Sequence, residues 1–486
     1  MPKWRNWRHQ KQLSDNIDAF KSASKTLTRS RSHSPLTGTE KKAIFGLASV
    51  YGFRMLGLFL ILPVFAIFAE NLEGATPLLI GLAVGIYGLT QALLQIPFGL
   101  LSDRIGRKPV ILGGLLLFAI GSIIAAIAED IWLIMIGRAI QGSGAIAAAV
   151  MAMVADLTRD SKRTRAMATV GMTIGASFAI SLMAGPGLYQ NLGMSGIFWL
   201  TGAFAFIGIL IVAFIVPSPT KQEIHRDAQT VPQTLTRVLQ DGQLLRLDFG
   251  IFSLHLVLTA VFLSVPLLLR DLGLPLNEHS LLYLAVLFVS VILMVPLIIQ
   301  AEKYGRMKAV FLTGIGLVIL ALASMFFIAK SWIMAAVLLG VFFWGFNLLE
   351  SLLPSLISKT APVDAKGTAM GAYSTSQFMG GFLGGVLGGL VHQYFGYEFV
   401  FIACMLVAII WFLIAMGMAQ PGQFSSRVMN LEGMSQDKIE DIKKRLQTMQ
   451  GIVEAVVIPS EKVAYLKVDR KQFDEEELTA LVAGAV

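Results

Sequence analysis

Gly99-Leu-Leu-Ser-Asp-Arg-Ile-Gly-Arg-Lys108 lies between two apolar runs and places Asp103, Arg104, Arg107 and Lys108 within six residues. Charge this dense between runs long enough to cross a bilayer marks a turn joining two membrane helices. The order acid, base, any residue, glycine, arginine recurs at Glu302-Lys303-Tyr304-Gly305-Arg306. The chain therefore reads as duplicated.

Of 486 residues, 55% are hydrophobic and 14% charged. A soluble fold would need apolar segments far longer than globular helices have, so the bilayer is the expected solvent. The net charge of +8 does not point to nucleic acid, because the basic residues sit in short turns and form no patch or helix face. Cys404 is the single cysteine and lies in an apolar run, which leaves no intrachain disulfide or thiolate cluster, and no metal site is expected. No Gly-x4-Gly-Lys-Ser/Thr loop supports ATP hydrolysis, and no catalytic residues or cofactors are expected.

Residues 1–42, rich in Ser, Thr, Lys and Arg, read as a basic disordered tail and not as a cleaved signal peptide. Twelve hydrophobic runs follow, at about 43–69, 77–101, 109–128, 131–155, 166–189, 194–216, 247–269, 279–301, 307–329, 331–358, 367–391 and 397–419. Most hold about twenty apolar or small residues, enough at 1.5 Å each to cross a ~30 Å hydrocarbon core. Alternate turns carry Arg104, Arg107, Lys108, Arg159, Lys162, Arg163, Arg165, Lys303, Arg306, Lys308, Lys359 and Lys366, whereas the other set holds Arg270 and Lys330. The positive-inside rule places the basic set, both termini and residues 217–246 in the cytoplasm.

That polar stretch, with Pro217, Pro219 and Pro232, is the expected linker between six-helix bundles at 43–216 and 247–419. Ala166-Met167, Gly185, Gly193 and Phe198 are echoed 203 residues later by Ala369-Met370, Gly388, Gly396 and Phe401. Two related bundles imply a pseudo-twofold axis along the membrane normal and a binding site near the midplane between them. From 425 to 486 the character changes to a soluble domain. Arg427–Leu431, Val453–Ile458 and Val463–Val468 read as strands, and Ser435–Gln450 and Asp474–Leu481 as helices, a β-α-β-β-α ferredoxin-like order.

These motifs resemble those of the major facilitator superfamily, in its twelve-span drug:proton antiporter branch, over roughly residues 40–420. The resemblance implies an all-α membrane fold of two six-helix bundles, here with a small α+β domain appended. Gly99, Asp103, Arg104, Gly106, Arg107 and Lys108 match that family's signature turn. Arg138-Ala-Ile-Gln141-Gly142-Ser-Gly144 resembles the arginine motif of span four, and Ala184-Gly185-Pro186-Gly187 the antiporter motif of span five. Tyr189 and Gln190 stand where that motif often has a glycine pair.

With its appended domain the chain is similar to YajR-type transporters, which implies a bacterial inner membrane location. The turn Leu431-Glu432-Gly433-Met434-Ser435 resembles the metal loop of heavy-metal-associated domains but lacks their cysteines, so soft-metal transfer is not expected. By resemblance, Asp103 caps a helix end and pairs with Arg107, which pairs with Asp156, as a latch that shuts the cytoplasmic side in the outward-facing state.

Ionisable residues inside spans are costly and therefore candidate functional groups. Glu350 in span ten and His255 in span seven lie at similar depth, so they can meet. Glu350 is the acid expected to take up and release protons, with a fixed structural ion pair as the alternative. His255 would share that proton, contact substrate or serve as a hydrogen-bonded core histidine. Arg54 and Arg138 are permanent cations that cannot carry protons; they could tune an acid or anchor an anion, and resemblance assigns Arg138 to coupling. Tyr87, Gln91 and Gln95 share one face of span two and, with Asn347, either line the cavity or join helices.

The expected function is proton-coupled export of small amphipathic compounds by alternating access. Proton-coupled uptake, and a membrane sensor signalling to a regulatory ligand or partner through the C-terminal domain, are the alternatives. The expected surroundings are the bilayer and a small-molecule substrate, without nucleic acid.

Overall fold

The computed structural model describes residues 35–218, 232–420, 422, 424–431, 436–459, 463–469, 472, 473 and 478. The expected tail up to residue 34, the middle of the expected linker, the turn 432–435 and all but one residue of the expected last helix lie outside the described residues.

The first apolar run forms α1 (Gly38–Phe59), opened by a reciprocal capping box between Thr37 and Glu40. The run stops being helical at Leu60 and resumes as the short α2 (Phe65–Ala69) after Pro63. Then come α3 (Pro77–Ile105), α4 (Arg107–Ala126), α5 (Ile131–Ser143) and α6 (Ala147–Asp156), the last two being one span interrupted at Gly144–Ile146. The 51-residue α7 (Asp160–Leu210) holds two spans, broken at Gly193 where φ is 67°. The second half contains α8 (Pro232–Gln240), α9 (Gly242–Asp271), α10 (Leu276–Lys303), α11 (Met307–Ile328), α12 (Trp332–Thr360), α13 (Lys366–Phe395) and α14 (Phe399–Met416).

Among the described residues, ten helices are long and apolar enough to cross a membrane. The break inside α7 adds one crossing, and the glycine-rich α13, 30 residues long, completes the expected twelve.

The duplication is visible in the backbone itself. Gly106 (φ 105°) and Gly305 (φ 69°) follow α3 and α10, and Gly193 (φ 67°) and Gly396 (φ 97°) turn the chain into the sixth and twelfth spans. Left-handed φ is strained for residues with a Cβ, which is why these paired positions carry glycine. Pro97 and Pro296 likewise fall inside the equivalent helices α3 and α10.

The expected linker is partly helical. α8 is tied to the second half by Arg237 to Asp364 (2.5 Å) and by a 2.7 Å bond between Thr234 and Thr368. Asp241 then caps α9 by accepting from the N–H groups of Gln243 and Leu244 (2.8 and 3.3 Å), so this helix starts at Gly242, earlier than the apolar run suggests.

The halves meet along α13, which lies between α3 and α9. A Cβ at Gly81 would collide with the Gly385 carbonyl, and one at Gly384 with the Leu256 carbonyl. Only glycines allow backbones this close, the usual way membrane helices pack without a hydrophobic driving force. The glycine contacts between α3 and α13 end at Gly88 and Phe378. At the far ends of the helices, away from the Arg104–Lys108 turn, Arg270 in the last turn of α9 reaches Glu70 of the other half at 2.5 Å. An aromatic layer at mid-depth joins Phe178 of α7 to Phe343 and Phe346 of α12, with ring centroids 6.1 and 5.9 Å apart. The bundles are thus sealed on the far side and part toward the side of the basic turns.

The appended domain runs β1 (Phe424–Asn430), α15 (Gln436–Thr448), β2 (Ile452–Ile458) and β3 (Val463–Asp469). Its sheet order is β1-β3-β2, with both neighbours antiparallel to β3, the split β-α-β arrangement of ferredoxin-like folds. Met429, Leu431, Ile439, Ile442, Leu446 and Leu466 form its core.

Candidate functional site

In the first half one set of buried polar groups forms a connected cluster around Tyr87. Arg54 on α1 donates through Nη2 to Gln91 Oε1 on α3, and Gln91 Nε2 donates to Gln95 Oε1 at 3.3 Å, one turn further on. Both guanidinium groups lie against the Tyr87 ring, Arg138 at 4.9 Å and Arg54 at 5.8 Å from its centroid. Arg138 Nη1 donates to Gln141 Oε1 (2.9 Å), whose Nε2 donates to Ser122 Oγ on α4 (2.8 Å).

Arg54 and Arg138 are 2% and 1% exposed, and neither makes an ion pair among the described residues. Tuning a neighbouring acid is therefore not the role this geometry supports. The shared face of Tyr87, Gln91 and Gln95 is also buried between helices of the same half. In this conformation it joins helices and does not line open space. Asn347, half-buried, donates to Ser290 on α10 at 2.8 Å.

The second half carries acids and a histidine. Glu350 stands ten residues, about 15 Å, from the basic-side end of α12, and its side chain is 34% exposed. A carboxylate that deep and that open faces the parting between the bundles. Its Oε2 lies 3.9 Å from His255 Nε2, so the structure brings the two together. The amide of Gln377 on α13 sits 2.8 Å from the same His255 nitrogen. With the amide N–H donating, the imidazole is neutral and the Glu350 contact is not yet a full ion pair.

Two groups here escaped the sequence reading. Asp248 lies seven residues before His255 and so on nearly the same face of α9, but it borders a polar stretch and passes for a turn residue. Tyr373 on α13 is buried, with a hydroxyl that has no hydrogen-bond partner among the described residues. The seven-residue spacing of Asp248 and His255 was the signal for the first; nothing local singles out the second.

At the signature turn, Arg107 donates to Ser102 Oγ (2.8 Å) and to Asp103 through Nη1, and to Asp156 Oδ2 through Nε (3.2 Å). The expected Asp103–Arg107–Asp156 chain is present, with Ser102 as an added acceptor, and all four residues belong to the first half. Lys108 Nζ donates to the carbonyls of Ala213 and Val216 (3.1 and 3.0 Å), capping the end of the sixth span. Arg104 is exposed, and Gly99 and Gly106 sit at α3 and its end. Gly185 meets the bend of the first span: a Cβ there would stand 2.7 Å from Pro63 Cγ and 2.8 Å from Leu60 O. Pro186 follows inside α7.

Two tandem bundles with a signature turn, sealed against each other at one end, define a secondary transporter, and the Major Facilitator Superfamily model matches residues 47–245 and 247–427. The chain belongs to that superfamily: it is a multi-pass membrane transporter of small molecules, not an enzyme. A second model, the YajR YAM domain, matches residues 429–484.

The chain is 43% identical over 450 residues, 93% of its length and 99% of the relative's, to the Inner membrane transport protein YajR of Escherichia coli (strain K12). It is 26% identical over 342 residues, 70% of its length and 85% of the relative's, to the Multidrug resistance protein MdtH of Aeromonas salmonicida (strain A449). Among solved structures, a bacterial homolog to the human lysosomal transporter Spinster, in an inward-facing and occupied conformation, shares the fold. Its TM-score is 0.66 at 13% identity, covering 79% of this chain and 97% of that one.

Proposed function

We propose that this transporter is a proton-coupled exporter of small amphipathic compounds, driven by protonation of Glu350. The observation that carries the reading is the position of Glu350: deep in α12, open to the parting between the bundles, 3.9 Å from His255 and, among the described residues, paired with no permanent cation. An acid so placed exchanges protons with the open side and must become neutral before a dry, closed state can enclose it. Protonation then shifts the balance between the two tilts of the bundles. Similarity to a relative named as a multidrug resistance protein supports the export direction and a permissive substrate range.

In the same reading the side of the basic turns is cytoplasmic, both termini are on it, and the membrane is the bacterial inner membrane, as in the named relative. The observed parting is then an inward-facing state. Because the Arg107 network forms in this open state, it works by holding α3, α4 and α6 as one rigid unit. Shutting the side requires a contact from the second half onto that unit. Arg54 and Arg138 stabilise the first half as fixed charges.

The test is reconstitution in vesicles with an imposed pH gradient and a fluorescent amphipathic dye, ethidium first. Dye movement against its gradient, opposite in direction to proton flow, supports export by exchange. Movement in the direction of proton flow would show uptake, and binding without flux would show a sensor.

A further inference from the structure

We propose that Arg270 is the gating residue of the far side, a cation shared by two acids. Glu70 of the first half holds it while that side is shut, and Asp271, pinned by Tyr397, keeps it when the side opens. The inference needs only a transporter that alternates access, and it stands apart from Glu350 as the coupling group.

Alternating access breaks the far seal in every cycle, so the polar contacts there must part cheaply. Arg270 stands in the last turn of α9, where a cation suits the helix dipole. Its Nη1 donates to Glu70 Oε2 at the end of α2 (2.5 Å), and its Nε to Asp271 Oδ1 (3.0 Å). The two bonds use different nitrogens, so breaking the first leaves the second in place. Asp271 Oδ2 accepts from the Tyr397 hydroxyl (2.8 Å), and the His392 ring packs edge-on against Tyr397 with centroids 6.0 Å apart. The second acid is therefore held through both oxygens inside its own half. The three charged side chains are 35% to 43% exposed. Water reaches them all, so a change of partner leaves no charge buried and unpaired.

The fold itself does not require this trio. Pro63 and Pro266, like Gly193 and Gly396, are 203 residues apart. On that spacing Arg270, Asp271 and Tyr397 fall opposite Ile67, Phe68 and Met194, all apolar. An acid at the last residue of a helix also opposes the helix dipole. Asp271 is thus placed for its partner and not for helix stability. A second polar contact crosses the seam nearby: the Leu78 N–H at the start of α3 donates to Gln393 Oε1 of α13 (3.3 Å), one turn beyond Gly389, whose Cβ would meet the Pro77 carbonyl. Opening hands that N–H to water, which replaces the bond at little cost. Two acids on one cation repel each other. Asp271 therefore loosens the grip of Glu70 on Arg270, and the two acids act on the gate with opposite signs.

The experiment is thiol labelling of the purified full-length protein carrying Ser280→Cys and Cys404→Ala. Ser280 Oγ is buried on the far side of the seam, and a Cβ on Gly187 of the first half would stand 3.9 Å from it, so a cysteine there reacts when that side opens. Glu70→Gln should speed labelling about two- to fivefold, the size of one exposed ion pair. Asp271→Asn should slow it by a similar factor, and should have no effect beside Glu70→Gln. A merely structural role gives both variants the same sign. Faster or unchanged labelling in Asp271→Asn, or slowing that persists beside Glu70→Gln, would overturn the proposal. Asp271→Ala serves the same comparison if the asparagine variant does not fold. The assay uses neither substrate nor pH gradient, so its outcome is separate from that of the Glu350 reading.

Discussion

The two signature turns carry nearly the same letters and opposite wiring. In the first half a buried arginine, Arg107, gathers Ser102, Asp103 and Asp156; Arg107 and Asp156 have side chains 2% and 0% exposed. In the second half an exposed acid, Glu302, accepts from Ser355 (2.8 Å) and pairs with Lys359 (2.7 Å), while Arg306 stays on the surface. Asp156 and Lys359 are 203 residues apart, the same spacing as Ala166 and Ala369. At one repeat position an acid has therefore become a base, and the network has moved from the interior to the surface. The same division holds deeper in the membrane, where the first half buries two permanent cations and the second gathers Asp248, His255 and Glu350. One half is built as a fixed body; the other holds the groups that can change charge.

The sharpest way to break this contrast is Arg107→Ala. Removing one partner of a buried pair takes the Arg107 guanidinium from Ser102, Asp103 and Asp156, at a cost of up to about 3–5 kcal/mol, which a melting curve of the purified protein would show as a large fall. Next comes Gly385→Ala, whose new methyl meets the Gly81 carbonyl. Overpacking costs about 1–3 kcal/mol and falls on the sealed far side. Thiol labelling of a cysteine introduced there should accelerate, and an unchanged rate would show that the glycine contact does not hold that side closed.

Lys467→Ala is expected to have a smaller effect. Lys467 on β3 donates to the carbonyls of Thr360 and Ala361 (both 3.2 Å), docking the C-terminal domain on the end of the helix that bears Glu350. Its loss should speed hydrogen exchange across β3 without lowering the melting point of the membrane body. Burial lowers the proton affinity of the Lys467 ammonium, against smaller opposing effects of Glu454 and Asp241. The docked domain thus binds fewer protons than a released one. Docking should be flat with pH at the acid end and tighten only as pH rises toward the ordinary lysine value of 10.5. Smallest of all is Glu302→Gln, because an exposed pair contributes about 0–1 kcal/mol. A loss as large as that of Arg107→Ala would erase the contrast between the turns.

Much of this architecture is legible in the sequence because its causes are local. Apolar length alone marks the crossings, and the paired glycines that turn the chain at Gly106 and Gly305, Gly193 and Gly396 are visible as letters. Glu350 and His255 stand out because a charge inside an apolar run is conspicuous. Asp248 does not, since only the Asp241 cap shows that α9 has already begun there. The burial of Tyr87, Gln91 and Gln95 was equally hidden. Helical spacing puts them on one face, but the rotation of α3 against α1 and α5 decides whether that face meets protein or open space.

The most direct test of the central claim, that a titratable second half drives the rocking, is substrate accumulation in vesicles under a pH gradient, wild type beside Glu350→Gln. The variant should still exchange ethidium across the membrane at equilibrium yet accumulate none when the gradient is applied. Gradient-driven accumulation at the wild-type level in Glu350→Gln would contradict the account.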